Sequence, residues 1–226
     1  MKEKLTLGVV VLLLLGVWVA KCGHRPSMLP LATSTDGPAP ERANQVLVML
    51  HGSGGSISTT DWIVDELRHR GLGKDTSVVM VNGPFSALTG RGWGETDEEQ
   101  RESVSRVRKL IASWRARQPQ LRVVMAGFSR GADLAEQVAT HDASVTGLVV
   151  MSGCAFEDLE TLAERDDVVV TVAHGLDDQL CSFANSVALV SALTKRGREV
   201  DFVQHRENHT IPPVALDAIV RALERR

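Results

Sequence analysis

The chain of 226 residues is long enough for one α/β domain with a buried core, and no change of composition along it indicates a second domain. Its formal net charge of −3 excludes the basic surface on which nucleic-acid binding depends. Aromatic residues make up 4% of the chain and tyrosine is absent, so the composition provides no stacking platform for bases or glycans.

The first 22 residues have the pattern of an export signal or a membrane anchor. Lys2 and Lys4 precede an unbroken apolar run over 5–20, which lacks the polar face that a helix of a soluble domain would have. Cys22 resembles the lipid-modified cysteine of bacterial lipoproteins, although Lys21 stands where those proteins have a small residue. Lipidation of Cys22 and an uncleaved anchor helix both predict a protein tethered to a membrane outside the cytoplasm.

Residues 23–42 are rich in proline, serine, threonine and glycine and have no apolar period. This composition predicts a linker between the N-terminal segment and a domain over 43–226. The alternative is an ordered hairpin packed on the domain, since residues 28–32 are mildly apolar.

From residue 45 onward, apolar strand-like runs alternate with helical segments. Predicted strands cover 46–50, 77–81, the run that begins at 123, 145–151, 168–173 and 199–204. Predicted helices cover 61–70, 96–117, 132–139, 156–164, 183–196 and 213–225. The alternation predicts an α/β fold with a mainly parallel sheet and helices on both faces. Right-handed crossovers then place every strand-to-helix loop at the carboxyl edge of the sheet, where ligands bind.

The segment Gly127-Phe128-Ser129-Arg130-Gly131 follows a predicted strand and precedes a predicted helix. A strand that turns sharply into a helix strains the residue at the turn, and glycine on either side permits close approach of the backbone. Ser129 is therefore a candidate nucleophile. The N–H of Arg130, at the start of the helix, would stabilise a developing negative charge. A pentapeptide of this pattern also arises by chance. Its position between a predicted strand and a predicted helix is what makes it specific for a nucleophilic serine.

A serine hydroxyl is a poor nucleophile until an imidazole accepts its proton. His209 lies in the loop after the last predicted strand and is the candidate base. His205 is the alternative, but it follows directly on that strand and is expected to be a strand-end residue.

A carboxylate must orient this imidazole and stabilise its charged form. Asp177 and Asp178 lie in the loop after the strand predicted at 168–173, and Asp158 lies one loop earlier. Aspartates in loops are commonly solvated turn formers. The order serine, aspartate, histidine is, however, the order that this architecture produces.

The glycine-rich segment over 51–56 follows the first core strand, and its glycines let the backbone approach a substrate closely. The amide of Ser53 is the candidate second donor to an oxyanion, beside that of Arg130. A phosphate loop is the alternative, but neither GxGxxG nor GxxxxGK[ST] is present. His205 and His209 are four residues apart but flank a loop, so no histidine pair has the helical i, i+4 arrangement of a metallohydrolase. We therefore predict neither a metal nor another cofactor.

Three cysteines are an odd number. With Cys22 set apart in the N-terminal segment, Cys154 and Cys181 are predicted just past the ends of neighbouring strands. A disulfide in an oxidising compartment and two unpaired buried thiols both remain open.

Four motifs together resemble the α/β-hydrolase superfamily. They are His51-Gly52-x-Gly54-Gly55, Gly127-Phe128-Ser129-Arg130-Gly131, His174-Gly175-x-x-Asp178 and the late His209. The chain is most similar to the small, nearly lidless branch of phospholipase/carboxylesterases, acyl-protein thioesterases and dienelactone-hydrolase relatives, from residue 45 to the C-terminus. The resemblance implies that Asp178 rather than Asp177 is the acid. It also implies that the segment Gly90-Arg91-Gly92-Trp93, which ends in tryptophan before the long helix, borders the acyl pocket.

The chain departs from that branch at three places. Arg130 stands where glutamine is usual, and we expect its side chain to point to solvent. Residues 179–181 replace the small apolar residues and proline that commonly follow the acid. Ser129 replaces the cysteine nucleophile of dienelactone hydrolases, which argues against that activity.

The sequence thus predicts a serine hydrolase that cleaves carboxylic esters or thioesters through an acyl-enzyme intermediate. Ser129, His209 and Asp178 form the triad, and the amides of Ser53 and Arg130 form the oxyanion hole. Little sequence is available for a lid between 82 and 96, so we expect an open cleft and small-molecule ester substrates of small or medium acyl size. The alternative is a non-catalytic hydrolase-fold binding protein at the cell surface. A peptidase is disfavoured because no cap domain is present.

Overall fold

A seven-stranded sheet forms the centre of the structure, a computed structural model that describes residues 28–225. In chain order the strands of the molecule are β1 (Thr33–Asp36), β2 (Gln45–Leu50), β3 (Thr76–Val81), β4 (Phe85–Ala87), β5 (Gly90–Gly92), β6 (Arg122–Phe128), β7 (Val145–Met151), β8 (Val169–Gly175) and β9 (Val200–His205). The sheet has the order β1-β3-β2-β6-β7-β8-β9, and β4 and β5 form a separate hairpin. Only β1 runs antiparallel to its neighbour in this sheet.

Seven α-helices are described over residues 28–225. They are α1 (Ile57–Thr60), α2 (Trp62–His69), α3 (Asp97–Arg115), α4 (Arg130–His141), α5 (Leu159–Glu164), α6 (Phe183–Lys195) and α7 (Pro213–Glu224). The longest, α3, begins after a capping box, in which Thr96 and Glu99 bond each other's backbone N–H. Within the described part of the chain, no helix combines the length and the apolarity needed to cross a bilayer. The predicted signal or anchor, including Cys22, lies outside the described residues.

Apolar residues fill both faces of the sheet because successive side chains of a strand point to opposite sides. In β2, Val46 and Val48 pack into one cluster with helices α3, α4, α5 and α6. Leu47 and Met49 pack into a second cluster with α2 and α7. The prediction of an α/β fold with a mainly parallel sheet and helices on both faces is confirmed.

The structure adds three elements that the sequence pattern did not predict. β1 lies within the segment 23–42, for which the sequence predicts a linker, and pairs with β3, so residues 33–36 belong to the sheet. The hairpin of β4 and β5 occupies the stretch between 82 and 96, and α1 follows the glycine-rich loop. The helix predicted at 156–164 begins only at Leu159, because Asp158 caps its N-terminus.

Candidate active site

Ser129 occupies the turn between β6 and α4 with φ 56° and ψ −129°, a strained conformation for a residue other than glycine. A Cβ on Gly127 would overlap the carbonyl group of Gly131, and a Cβ on Gly131 would overlap the carbonyl oxygens of Leu50 and His51. Both glycines of the motif are therefore required by the close approach of the backbone.

The Ser129 side chain lies among residues from three loops and is 8% exposed. Its Oγ is 3.5 Å from Sγ of Cys154. Gly52 of the glycine-rich loop packs so closely that an added Cβ would lie 3.3 Å from the Ser129 Cβ. Over the described residues, Ser129 Oγ makes no hydrogen bond to His209, and its sulfur contact is a weak one.

His209 and Asp178 form a hydrogen-bonded pair. Nδ1 of His209 lies 2.8 Å from Oδ2 of Asp178, whose side chain is fully buried. Oδ1 of Asp178 accepts the backbone N–H groups of Leu180 and Cys181, both at 2.9 Å. Burial raises the pKa of Asp178, but the bonds from Cys181, His209 and Leu180 outweigh it and hold that pKa below its usual range. The carboxyl group is thus an ionised acceptor.

The pair defines the tautomer of the neutral His209 ring. A carboxylate can only accept, so Nδ1 carries the proton and Nε2 presents a lone pair. Nε2 has no hydrogen-bond partner among the residues of 28–225, and the ring packs on Phe128 with centroids 4.7 Å apart. His209 can therefore accept a proton on the side facing the groove described below.

The three alternatives from the sequence lie apart from this pair. Asp177 is exposed to solvent. Asp158 accepts the N–H of Thr161 at the start of α5, and its Oδ2 lies 3.9 Å from Nε2 of His141. His205 is the last residue of β9, where burial lowers its pKa.

The two backbone amides predicted to bind an oxyanion have no acceptor within the described protein. Within the described chain, neither the N–H of Ser53 nor that of Arg130 donates to a protein acceptor. The loop of Ser53 is held by the buried His51, whose Nδ1 donates to the Gly52 carbonyl and whose Nε2 accepts the N–H of Gly83. Burial lowers the pKa of His51, which keeps the ring neutral.

The Arg130 side chain does not simply point to solvent as expected. Its Nη1 pairs with Oδ2 of the buried Asp133 at 3.2 Å. Because this cation is engaged one turn along α4, it contributes less to attracting an anionic substrate than a free guanidinium would.

An open groove of about 270 Å³ adjoins these groups. It is lined by Gly52, Ser53, Gly55, Thr59, Thr60, Trp62, Phe128, His209, Thr210 and Ile211. The expectation that Trp93 borders this pocket is wrong. Trp93 is 3% exposed and packs in the core, where its indole N–H donates to the His51 carbonyl. Trp62, from α2, takes the place at the groove that Trp93 was expected to hold.

Comparison with known proteins identifies the family. A family model described as Phospholipase/Carboxylesterase matches residues 38–225. The chain belongs to this family. No protein with a curated function matches this phospholipase/carboxylesterase.

Solved structures similar to this family member share its fold. Esterase PE8 has a TM-score of 0.73 and 19% identity, covering 87% of this chain and 99% of the esterase. A carboxylesterase from Mesorhizobium loti has a TM-score of 0.70 and 17% identity, and the match covers 89% of this chain and 99% of that carboxylesterase. A phospholipase/carboxylesterase from Dyadobacter fermentans has a TM-score of 0.68 and 18% identity, and the match covers 90% of this chain and 99% of the Dyadobacter protein. The protein is therefore a hydrolase of the esterase type with an α/β-hydrolase fold, which favours an enzyme over a non-catalytic binding protein.

Of the two alternatives that the sequence left open for Cys154 and Cys181 in this esterase, the structure has the disulfide. The contacts of His174 were not predicted. The buried His174 bonds the Ser186 hydroxyl at 2.6 Å through Nδ1, and its Nε2 donates to the Cys181 carbonyl at 2.9 Å. The His-Gly-x-x-Asp motif marks His174, but only the fold brings its partners together. In the described residues, no group of three or more potential ligands is arranged to hold a metal ion.

Behind Ser129, α4 of the esterase carries a buried acid. Glu136 is fully buried, and burial raises its pKa from 4.5 to about 7, against a hydrogen bond from Thr140 that lowers it. One of its oxygens, Oε2, has no partner in the described structure. Between pH 4.5 and about pH 7, the folded protein thus keeps a proton on Glu136 that the unfolded chain has already released.

Replacing Glu136 with glutamine tests this burial. Stability of the wild type should fall as pH rises from 4.5 to 7, because the unfolded chain ionises first, and this loss is absent in Glu136→Gln. The free energy of unfolding of the variant relative to the wild type should rise by about 1.4 kcal/mol per pH unit, to roughly 3 kcal/mol above pH 7. Urea denaturation at a series of pH values measures it. A difference that is constant with pH would show that Glu136 is ionised when folded.

Proposed function

We propose that this phospholipase/carboxylesterase hydrolyses carboxylic esters, and thioesters as a second substrate class, through a triad of Ser129, His209 and Asp178. The observation that carries the proposal is the orientation of His209. Its Nδ1 donates to a buried carboxylate, so the basic nitrogen Nε2 is left to take the proton of a nucleophile.

In the first step, Ser129 Oγ attacks the carbonyl carbon while its proton passes to Nε2 of His209. The carbonyl electron pair moves to oxygen, and the N–H groups of Ser53 and Arg130 stabilise the resulting oxyanion. The mechanism requires the Ser129 hydroxyl to leave its contact with Cys154 and to bond Nε2. Hydrogen bonds of this kind are often long in free enzymes and shorten when substrate binds.

In the second step, the oxyanion collapses and the bond to the alcohol or thiol breaks. The leaving group takes the proton from His209, and an acyl-Ser129 ester remains. A water molecule then attacks this ester, gives its proton to Nε2, and the acid departs as Ser129 regains its hydrogen. Asp178 stays ionised throughout and stabilises the imidazolium form of His209.

The groove favours short acyl chains. Its volume of about 270 Å³ is near the lower limit for small-molecule sites, and Trp62 and Phe128 provide apolar contacts. In a panel of p-nitrophenyl esters, kcat/KM should be highest for acetate or butyrate and fall steadily towards palmitate. Hydrolysis of none of these esters would overturn the proposed activity, and a preference for palmitate would overturn the proposed substrate size.

We further propose that the enzyme is exported and tethered by its N-terminal segment. The basic and apolar pattern of residues 1–22 supports this, and so does the Cys154–Cys181 disulfide, since disulfides persist in oxidising compartments. Mass spectrometry of membrane-extracted protein should find either an acylated Cys22 at the N-terminus or an intact anchor. Recovery of the unprocessed chain in the cytoplasmic fraction would contradict export.

A further inference from the structure

The Cys154–Cys181 disulfide joins two loops of the candidate active site. Cys154 follows β7 and Cys181 follows β8, and their Cα atoms are 4.5 Å apart. Cys154 Sγ is also the contact of Ser129 Oγ, at 3.5 Å. The bridge therefore links the surroundings of the nucleophile to the loop that carries Asp178.

On one side, Cys181 fixes the position of Asp178. The N–H of Cys181 donates to Oδ1 of Asp178 at 2.9 Å, and the Cys181 carbonyl accepts from Nε2 of the buried His174 at 2.9 Å. The side chains of Leu176, Asp177, Gln179 and Leu180 are all exposed. Two backbone groups hold this loop to neighbouring segments, since the N–H of Leu176 donates to the His205 carbonyl at 2.7 Å and that of Gln179 donates to the Asn208 side chain at 3.0 Å. Cys181 is 4% exposed and attaches the C-terminal end of the loop to the protein interior.

On the other side, Cys154 is attached to the helix that begins at the nucleophile. Its N–H donates to Oδ1 of Asp133 on α4 at 2.8 Å, and its carbonyl accepts from the side-chain amide of Asn185 on α6. Asp133 is buried and paired with Arg130. The disulfide thus attaches the acid loop to a segment that is bonded to both α4 and α6.

We propose that the Cys154–Cys181 disulfide is a positioning element for Asp178, so that turnover depends on the bridge being closed. The inference rests on the proposed triad. With the bridge open, the loop moves and Asp178 no longer holds the His209 ring in its productive orientation. A displacement of about 1 Å in a catalytic group lowers rates by as much as ~10²-fold. KM should change little, because neither cysteine lines the groove.

Opening the bridge requires a reductant, for which a small dithiol such as dithiothreitol serves. One dithiol thiolate attacks a cysteine sulfur, the Sγ–Sγ bond breaks, and a mixed disulfide forms. The second dithiol thiolate displaces the protein, which leaves a cyclic disulfide. Two electrons pass to the protein, and the two cysteine sulfurs take up two protons.

The test compares kcat of the full-length enzyme before and after reduction, on a short p-nitrophenyl ester. We expect kcat to fall by about 10- to 100-fold with KM nearly unchanged, and to recover on reoxidation. The double variant Cys154→Ala/Cys181→Ala should show the same loss and no response to dithiol. Circular dichroism at the assay temperature establishes that each form is folded, and reversible reduction of the wild type suffices if the double variant does not fold.

A comparison of backgrounds separates positioning from general stabilisation. If the bridge acts through Asp178, reduction should change kcat by less than about twofold in Asp178→Asn, whereas the matched variant Asp177→Asn should keep the full effect. An equal loss in both backgrounds would overturn the inference, as would unchanged kcat of the reduced wild type. Neither result would affect the proposed ester hydrolysis by Ser129, which fails if Ser129→Ala retains activity.

Discussion

Replacing Ser129 with alanine is expected to lower kcat by about 10⁶-fold, because the attacking oxygen is lost while the groove and oxyanion donors remain. Binding should be nearly unaffected, and labelling by a fluorophosphonate probe should disappear, since only an activated serine reacts. The melting temperature should also stay the same, because alanine and serine tolerate φ 56° equally poorly. Ester turnover and probe labelling of the same preparation measure both effects.

Ser152 provides a matched control for this experiment. It directly follows the neighbouring strand β7, is fully buried, and has a positive φ of 47°. Its hydroxyl has no partner within the described residues, so Ser152→Ala should retain kcat within about threefold and lose no stability. Ser129→Ala with more than a hundredth of wild-type kcat would show that another group is the nucleophile.

Replacing Asp178 with asparagine is expected to lower kcat by about 10⁴-fold. The asparagine oxygen can keep the bonds from Leu180 and Cys181, but its NH₂ group then faces His209. An NH₂ group donates, so Nδ1 of His209 must become the acceptor and the proton moves to Nε2. The ring is held in place but can no longer take the proton of Ser129.

Asp177→Asn is the control, since this neighbouring side chain is exposed and should leave kcat within about threefold of the wild type. Steady-state kinetics of the two variants on one ester decide between them. Equal, small losses of kcat in both variants would show that Asp178 is not the acid of the triad, and Asp158 would then be the candidate. A larger loss in Asp177→Asn would show that the acid loop rearranges during turnover.

Local sequence features predicted most of the sheet and its helices. The start of α3 was predicted to within one residue, because its capping box is a contact between residues three apart. β1 was missed because all four of its residues are exposed and none adds an apolar period, so only pairing with β3 makes it a strand. The hairpin of β4 and β5 was missed for a similar reason, since each strand has only three residues.

By itself, the sequence determined the α/β architecture, the strained turn at Ser129 and the loop that holds His209. Each depends on contiguous residues, through hydrophobic periodicity or backbone conformation. Only the tertiary structure decided that Asp178 rather than Asp177 contacts His209, that Cys154 bonds Cys181, and that Trp62 rather than Trp93 lines the groove. The first two contacts join loops that are about 30 residues apart in sequence, and the third depends on which face of an element is buried. Whether two such loops meet in space depends on the order of the strands in the sheet, which no local pattern encodes.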